Sequence, residues 1–227
     1  TPYNTAVGYI AGTAVTTGIF NTLIGALAGD ALTTGNGNVA VGKTALSTED
    51  TGSASVAIGK EALRDQNVGT VDSNNTAVGF EAGKLVTTGT NNTLIGALTG
   101  DSMTTGSSNT GVGYASIGSG TVTGDFNSVL GYAAGFAITS GSNNLFLGKD
   151  SGRTGSPGGN FTTESNRIVF GDENITNAHI QVSLTVASDE RDKTDFADLA
   201  LGLNFVKDLK PVTYKWDKRS KYGDKTA

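Results

Sequence analysis

The chain has 227 residues but no cysteine, one histidine and one tryptophan. Without cysteine it has neither a disulfide framework nor a thiolate metal site. His179 has no partner at the spacing of metal ligands, so we interpret it as a surface or packing residue. We therefore expect no bound metal and no cofactor.

Large side chains are also scarce, since aromatic residues make up 7% of the chain and charged residues 16%. A core of large side chains is excluded, whereas a stacked repeat with a thin core is not. Glycine accounts for 33 residues, without the period of three that defines collagen. Most of these glycines are explained by the positive φ of tight corners.

The net charge of −5 is unevenly distributed. Residues 1–187 carry seven Lys or Arg and thirteen Asp or Glu, and residues 188–227 carry nine and eight. A mildly acidic repeat argues against nucleic-acid binding. No apolar run approaches the ~20 residues of a membrane span, so we expect no membrane insertion. No signal peptide is visible, and because the chain starts inside a repeat we expect the natural protein to begin before Thr1.

One short unit recurs ten times, each copy ending in glycine, and the closing glycines are spaced 17, 17, 17, 20, 17, 17, 18, 17 and 23 residues apart. Extra residues are absorbed between units, as in a solenoid. The units are Asn4–Gly8, Asn21–Gly25, Asn38–Gly42, Ser55–Gly59, Asn75–Gly79, Asn92–Gly96, Asn109–Gly113, Asn127–Gly131, Asn144–Gly148 and Arg167–Gly171.

Within a unit, a bulky residue precedes the glycine, a β-former lies two positions earlier, and the residue between them is mostly small. This alternation predicts a short strand with one face in a narrow core and the other against a close neighbour. A small residue lies three positions after nearly every closing glycine, where we expect a second short strand or a corner. Thr-Thr-Gly then forms a turn, and the Asn column predicts a side-chain amide ladder.

The predicted fold is therefore mainly β, a parallel β-solenoid or β-roll over residues 1–171, with coils of two short strands and two turns. One coil cannot bury its own apolar face, so coils must stack. We favour a parallel homotrimer in which small residues let three chains approach closely. Ice binding by the Thr pairs and calcium binding by the glycine-rich turns are disfavoured, because a flat Thr array and the nonapeptide calcium pattern are both missing.

The repeat resembles two known groups. Ser55–Gly59, Ser-Val-Ala-Ile-Gly, is similar to the head repeats of trimeric autotransporter adhesins. Asn4–Gly12 and Asn75–Gly83 resemble repeats of phage tail-fibre proteins. Residues 149–165 are predicted to be a loop, and residues 172–187 a transition in which the strictly alternating Ile180–Val186 forms a strand.

The pattern Ser188-Asp189-x-Arg191-x-Lys193, followed by Lys210–Trp216, resembles the intramolecular chaperone of phage tailspikes and endosialidases, the S74 autopeptidase family. Residues 188–227 are accordingly interpreted as the N-terminal part of a small α+β chaperone domain, which is expected to be longer in the natural protein. A short helix is predicted with Leu199, Leu203, Val206 and Leu209 on one face; Pro211 ends it, and a strand follows at Val212–Trp216.

The resemblance implies self-cleavage between Ala187 and Ser188. The Ser188 hydroxyl lies beside the carbonyl that it would attack, and Lys193 would act as the base, with Asp189 and Arg191 in support. The acidic residues around Lys193 oppose this role, because they favour its charged form. The alternative is that Ser188 and Asp189 simply cap a turn.

We therefore predict the trimeric shaft of a phage tail fibre or tailspike, located in the virion, with a possible single-turnover Ser–Lys autopeptidase and no turnover activity. Its partners are expected to be its own copies, other virion proteins and a host surface receptor such as a glycan. The alternative is a trimeric adhesin on a bacterial surface. A polysaccharide-degrading tailspike is disfavoured, because no paired-carboxylate constellation is recognisable in the repeats.

Overall fold

Each repeat unit forms one strand of three residues. The computed structural model describes residues 3–118 and 120–181, and these residues contain ten strands and no helix. Every strand ends at the residue before a closing glycine, as the alternation predicted. The strands are β1 (Thr5–Val7), β2 (Thr22–Ile24), β3 (Val39–Val41), β4 (Val56–Ile58), β5 (Thr76–Val78), β6 (Thr93–Ile95), β7 (Thr110–Val112), β8 (Ser128–Leu130), β9 (Leu145–Leu147) and β10 (Ile168–Phe170).

The ten strands form a single parallel sheet in chain order, β1 to β10. Neighbouring strands pair residue for residue; Thr22 of β2 lies opposite Val39 of β3, and Val39 lies opposite Val56 of β4. We call the chain from one strand to the next a coil. Each coil advances the chain by one strand spacing, about 4.8 Å. The architecture is a parallel β-solenoid, and the prediction of a mainly β solenoid is confirmed.

Each coil contains one strand, and the prediction of two strands per coil is wrong. The second stretch cannot be extended, because residues two and four positions after the closing glycine are left-handed, as at Leu27 (φ 60) and Gly29 (φ 53). Coils still stack tightly there: the Gly29 amide donates to the Ala45 carbonyl at 3.0 Å. Ala28 and Ala45 are fully buried, so the small column forms a tight corner.

The core is filled by large side chains from the centre of the strand or from the position four residues after the closing glycine, together with a third column that includes Leu32 and Val86. In β2 the central Leu23 is large and Gly29 leaves room for it, since a Cβ on Gly29 would lie 2.8 Å from Leu23 Cδ2. In β7 the roles reverse: a Cβ on Gly111 would lie 2.9 Å from Ile117 Cδ1. The large and small positions are thus exchanged between these two coils, and each interior remains filled.

The Asn column forms the predicted ladder. Asn21 Nδ2 donates to the Gly35 carbonyl at 2.9 Å, and Asn21 Oδ1 accepts from the Asn38 amide at 2.9 Å. Further along, Asn127 Nδ2 donates to Asn109 Oδ1 at 3.0 Å, a direct bond between side chains. These side chains are buried, and their bonds link one coil to the next.

The ladder is interrupted at Ser55, and a buried polar network replaces the missing amide. Ser55 Oγ lies 2.6 Å from Ser73 Oγ and accepts from Gln66 Nε2 at 2.7 Å. Gln66 Nε2 also donates to Glu49 Oε2 at 2.9 Å, while Gln66 Oε1 accepts from Asn75 Nδ2 at 2.8 Å. The continuity of hydrogen bonding is thereby restored across the coil of 20 residues.

Beyond β9 the repeat lengthens and then stops. Residues 149–165 contain no strand, as predicted, and residues 172–181 contain none either. Thr1–Ala178 form one compact unit. The predicted strand Ile180–Val186 lies outside the described residues except for its first two, and the predicted elements within 188–227 lie wholly outside them. No helix able to cross a membrane occurs in the described part of the chain.

Candidate functional site

The predicted cleavage site lies outside the described residues. This applies to Ala187, Ser188, Asp189, Arg191 and Lys193, so the pairing of Ser188 with Lys193 stays a prediction. Within residues 3–118 and 120–181, no group of three or more acidic or histidine side chains could hold a metal ion.

One surface of the sheet carries a column of exposed or half-exposed apolar side chains along its length. In each strand the central residue points inward, so the two outer residues point away from the core. Ile95, for example, is 41% exposed. Because the strands are in register, the outer residues stack into columns about 43 Å long, nine spacings of the sheet. We call this surface the apolar face; its main column is Val7, Ile24, Val41, Ile58, Val78, Ile95, Val112, Leu130, Leu147 and Phe170.

The orientation of the strands corrects one part of the sequence interpretation. Ala40, Ala57 and Ala77 are fully buried inside their own chain, so they cannot let neighbouring chains approach. The large side chains are outside instead. An apolar column of this length on the surface of one chain is a candidate interaction surface.

Aromatic residues flank the apolar face at both ends of the strands. Tyr114 and Tyr132 follow their closing glycines by one residue and stack with ring centroids 5.4 Å apart. At the opposite end, two residues before β2, Phe20 stacks on Tyr3 at 5.3 Å. These rings are exposed and extend the apolar surface beyond both margins of the sheet.

A charged network lies on the corner after β4 and β5. Glu61 is within 3.2 Å of both Lys60 and Lys84, and Arg64 lies 3.1 Å from Glu61. Lys84 also pairs with Glu81 at 3.1 Å. The hydrogen bond from Lys60, followed by that from Lys84, lowers the pKa of Glu61 from 4.5 to about 2.

We expect Glu61→Gln to weaken the acid sensitivity of the solenoid. The pKa of Glu61 is lower in the folded chain, so its stabilising contribution is complete above pH 4.5 and is lost as the pH falls toward about 2. Melting temperatures measured between pH 7 and pH 2 should therefore fall less steeply in Glu61→Gln than in the wild type. Glu173→Gln is the control, since Glu173 forms no ion pair with any described residue. Equal slopes in all three proteins would contradict the assignment.

A charged cleft of about 430 Å³ lies beside the longest coil. Arg153 donates to Asp150 at 2.6 Å, and its guanidinium lies 4.6 Å from the ring centroid of Phe136. Lys149 bridges Asp150 at 2.9 Å and Asp172 at 3.4 Å. The Lys149 hydrogen bond lowers the pKa of Asp150, and the Asn174 side chain lowers the pKa of Asp172.

The sequence interpretation missed this cleft. Phe136 and Arg153 each lie five residues after a closing glycine, in consecutive coils. Aligning the units by their glycines therefore predicts that these two side chains are neighbours. The loop that completes the cleft carries no periodic signal.

Comparison with known families gives a match in the last part of the chain. Residues 188–227 match the family Peptidase_S74, described as chaperone of endosialidase. The match begins at Ser188, the predicted nucleophile, and agrees with the resemblance seen in the sequence. It does not include residues 1–187. No curated protein and no solved structure matches the chain.

Proposed function

We propose that residues 1–171 are the shaft of a homotrimeric phage tail fibre or tailspike used for host attachment. A chaperone segment begins at Ser188. The observation that carries the proposal is the apolar face, because every coil contributes to it and a single chain leaves it exposed to water. Burying such a surface is the dominant favourable term in association. The chaperone-of-endosialidase match supports the same class of protein.

A trimer covers the apolar face and its margins more completely than a dimer. The sheet is three residues wide, about 10 Å, so two apposed faces would leave the Tyr3 and Phe20 pair at its margin in water. Around a threefold axis each chain meets a neighbour at this margin, and the Tyr3 and Phe20 pair is covered. Closed rotational symmetry also prevents the open-ended growth that an exposed apolar face invites.

The chaperone segment would help the shaft to fold and assemble. Every strand pairs with one from another coil, so the native contacts are non-local and form slowly. Until the chains associate, the apolar face is available for aggregation. A segment that joins three chains at their C-terminal ends aligns the coils before they stack. Removing it afterwards leaves a trimer whose unfolding is slow, because the aligning device is gone.

The removal step follows from residues at the junction. Ser188 Oγ attacks the Ala187 carbonyl carbon while the neutral Lys193 amine takes the hydroxyl proton. The Ala187–Ser188 C–N bond breaks, the nitrogen takes up a proton, and the Ala187 acyl group is held as an ester on Ser188 Oγ. Water then hydrolyses the ester and releases Ala187 as a carboxylate. Asp189 and Arg191 orient the two reacting groups, and each chain reacts once.

A trimeric adhesin on a bacterial surface is the alternative suggested by the repeats. The family match favours the tail fibre, since it lies where an adhesin would continue into a stalk. As part of a tail fibre, the chain is located in the virion. Its partners are other virion proteins and a receptor on the host surface, with glycans as the receptor class.

A solution mass tests the assembly. The wild-type chain of 23.0 kDa should have a mass of about 69 kDa by light scattering, that of a closed trimer. A triple variant, Ile24→Lys with Ile58→Lys and Ile95→Lys, places charge on the apolar face and should reduce the mass to that of one chain. A wild-type monomer would contradict the proposal.

The control variant carries the same three charges elsewhere. Thr34, Thr88 and Thr105 are exposed in the turns, away from the apolar face. Their replacement by lysine should leave the trimer intact. If the face variant also keeps the mass of three chains, the apolar face is not the interface. Circular dichroism on each variant separates lost association from lost folding.

A further inference from the structure

The charged cleft described above is pre-organised. Arg153 is fixed from two sides, by the Asp150 carboxylate and by the Phe136 ring. Lys149 is fixed between two carboxylates, and yet its side chain is 62% exposed. Asn160 adds an amide to the lining. Donors and acceptors therefore alternate along an open wall with an aromatic ring beneath them.

The chemistry of the lining residues limits the class of ligand that the cleft can bind. The two cations are outnumbered by three carboxylates, those of Asp150, Asp172 and Glu173, so the cleft does not favour an anion. The described residues hold no metal-binding group. The polar lining does not suit an apolar molecule. A neutral, hydroxyl-rich ligand fits, because each hydroxyl both donates and accepts hydrogen bonds, whereas a carboxylate accepts and a guanidinium donates.

The cleft continues along the solenoid. A second cleft of about 380 Å³ shares Phe136 and Arg153 with the first, and is also lined by Asp101 and the stacked pair Tyr114 and Tyr132. Together they span the coils from β6 to β10, four strand spacings, or about 19 Å. This length accommodates several sugar rings laid along the solenoid, with aromatic rings and charged groups along the path.

We propose that this groove binds a neutral oligosaccharide. The inference rests on the proposed function, since it places the receptor site of the fibre on the corner of coils β6 to β10. Phe136 and Tyr132 offer aromatic surface to the apolar faces of sugar rings, and Arg153, Asp150 and Asp101 bind hydroxyls. In the trimer three grooves act together, so that modest affinity at one groove becomes firm attachment.

Binding of the trimer to a printed array of bacterial surface polysaccharides tests the groove. The array carries neutral O-antigens beside capsules that contain uronic or sialic acids. We expect binding to neutral polysaccharides, and then measure affinity for the best of them by calorimetry. Phe136→Ala and Arg153→Ala should each weaken this binding about tenfold or more. Arg64→Ala is the matched control, because Arg64 holds the same position in its coil and a similar ion pair.

Each outcome decides one question. Absence of any neutral ligand, or binding confined to acidic polysaccharides, overturns the groove assignment. Equal affinities for Arg153→Ala and Arg64→Ala overturn it as well. A trimer that binds no glycan would contradict the groove assignment but not the proposed trimeric shaft. A monomer that binds neutral glycans would contradict the trimeric shaft but not the groove assignment.

Discussion

Gly25→Ala is expected to lower the free energy of unfolding by about 3 kcal/mol or more, a large share of the stability of a typical domain. Gly25 has φ 133, a conformation that side chains with a Cβ rarely adopt. An added Cβ would lie 2.5 Å from the carbonyl oxygen of Gly42 in the next coil. The obstacle is backbone held in the coil stack, so it cannot yield without separating two coils.

Gly37→Ala is the control for this prediction. Gly37 also has a positive φ, of 65, but an added Cβ would meet nothing within 4 Å. Its cost is conformational alone, about 1 kcal/mol. Urea unfolding of both variants and the wild type, followed by circular dichroism, gives the two differences. If Gly25→Ala and Gly37→Ala lower the free energy of unfolding by the same amount, close stacking of the closing glycines does not determine the stability of the fold.

This contact explains the closing glycine of the first nine units, from Gly8 to Gly148. The closing glycine of one coil lies against the closing glycine of the next, from Gly8 against Gly25 onward. From Gly8 to Gly131, an added Cβ would lie 2.5 Å or less from the carbonyl oxygen of the next closing glycine, so a side chain there would separate its coil from the following one. The glycine column therefore sets the spacing that the Asn ladder and the sheet hydrogen bonds share.

The strands and the ladder could be predicted because their signals are local and repeat in every coil. The second strand was predicted wrongly for a reason that sequence does not display. Leu27 and Leu98 have φ near 60, a region where leucine is rare, and the stacked coils hold them there. Only the coil above and the coil below reveal that constraint.

The sequence also did not reveal which side of each strand faces the core. Ala57 and Ile58 are both apolar, and alternation alone cannot say which of them is inside. In this coil Leu63 fills the interior, so the small Ala57 is the strand residue that is buried and Ile58 is exposed.

Glu49 and Gln66 would be read from sequence as surface residues, yet both are fully buried. Each lies seven residues after a closing glycine, where other coils place Leu32 and Val86. Glu49 and Gln66 lie beside Ser55, the residue that replaces asparagine within the ladder. A buried acid and amide become predictable only once the units are aligned and the missing ladder residue is noticed.

Ser188→Ala is expected to abolish self-cleavage in the full natural chain. On a denaturing gel, the wild type should yield a shaft ending at Ala187 and a separate chaperone fragment, whereas Ser188→Ala should stay at full length. Without the hydroxyl there is no nucleophile beside the Ala187 carbonyl, so no slower route of the same kind remains. Ser183→Ala, five residues upstream, should cleave like the wild type. A wild type that runs at full length beside both variants would show that this protein keeps its chaperone.

Two replacements of Lys193 separate the base from a merely charged neighbour. Lys193→Ala removes both the amine and the charge, while Lys193→Arg keeps the charge on a group that cannot give up its proton at neutral pH. If Lys193 is the base, both variants stay at full length and both still form trimers. Cleavage by Lys193→Arg would instead assign the residue an electrostatic role. The solution mass of each uncut protein matters here, because a cut that depends on assembly would also fail in chains that never associate.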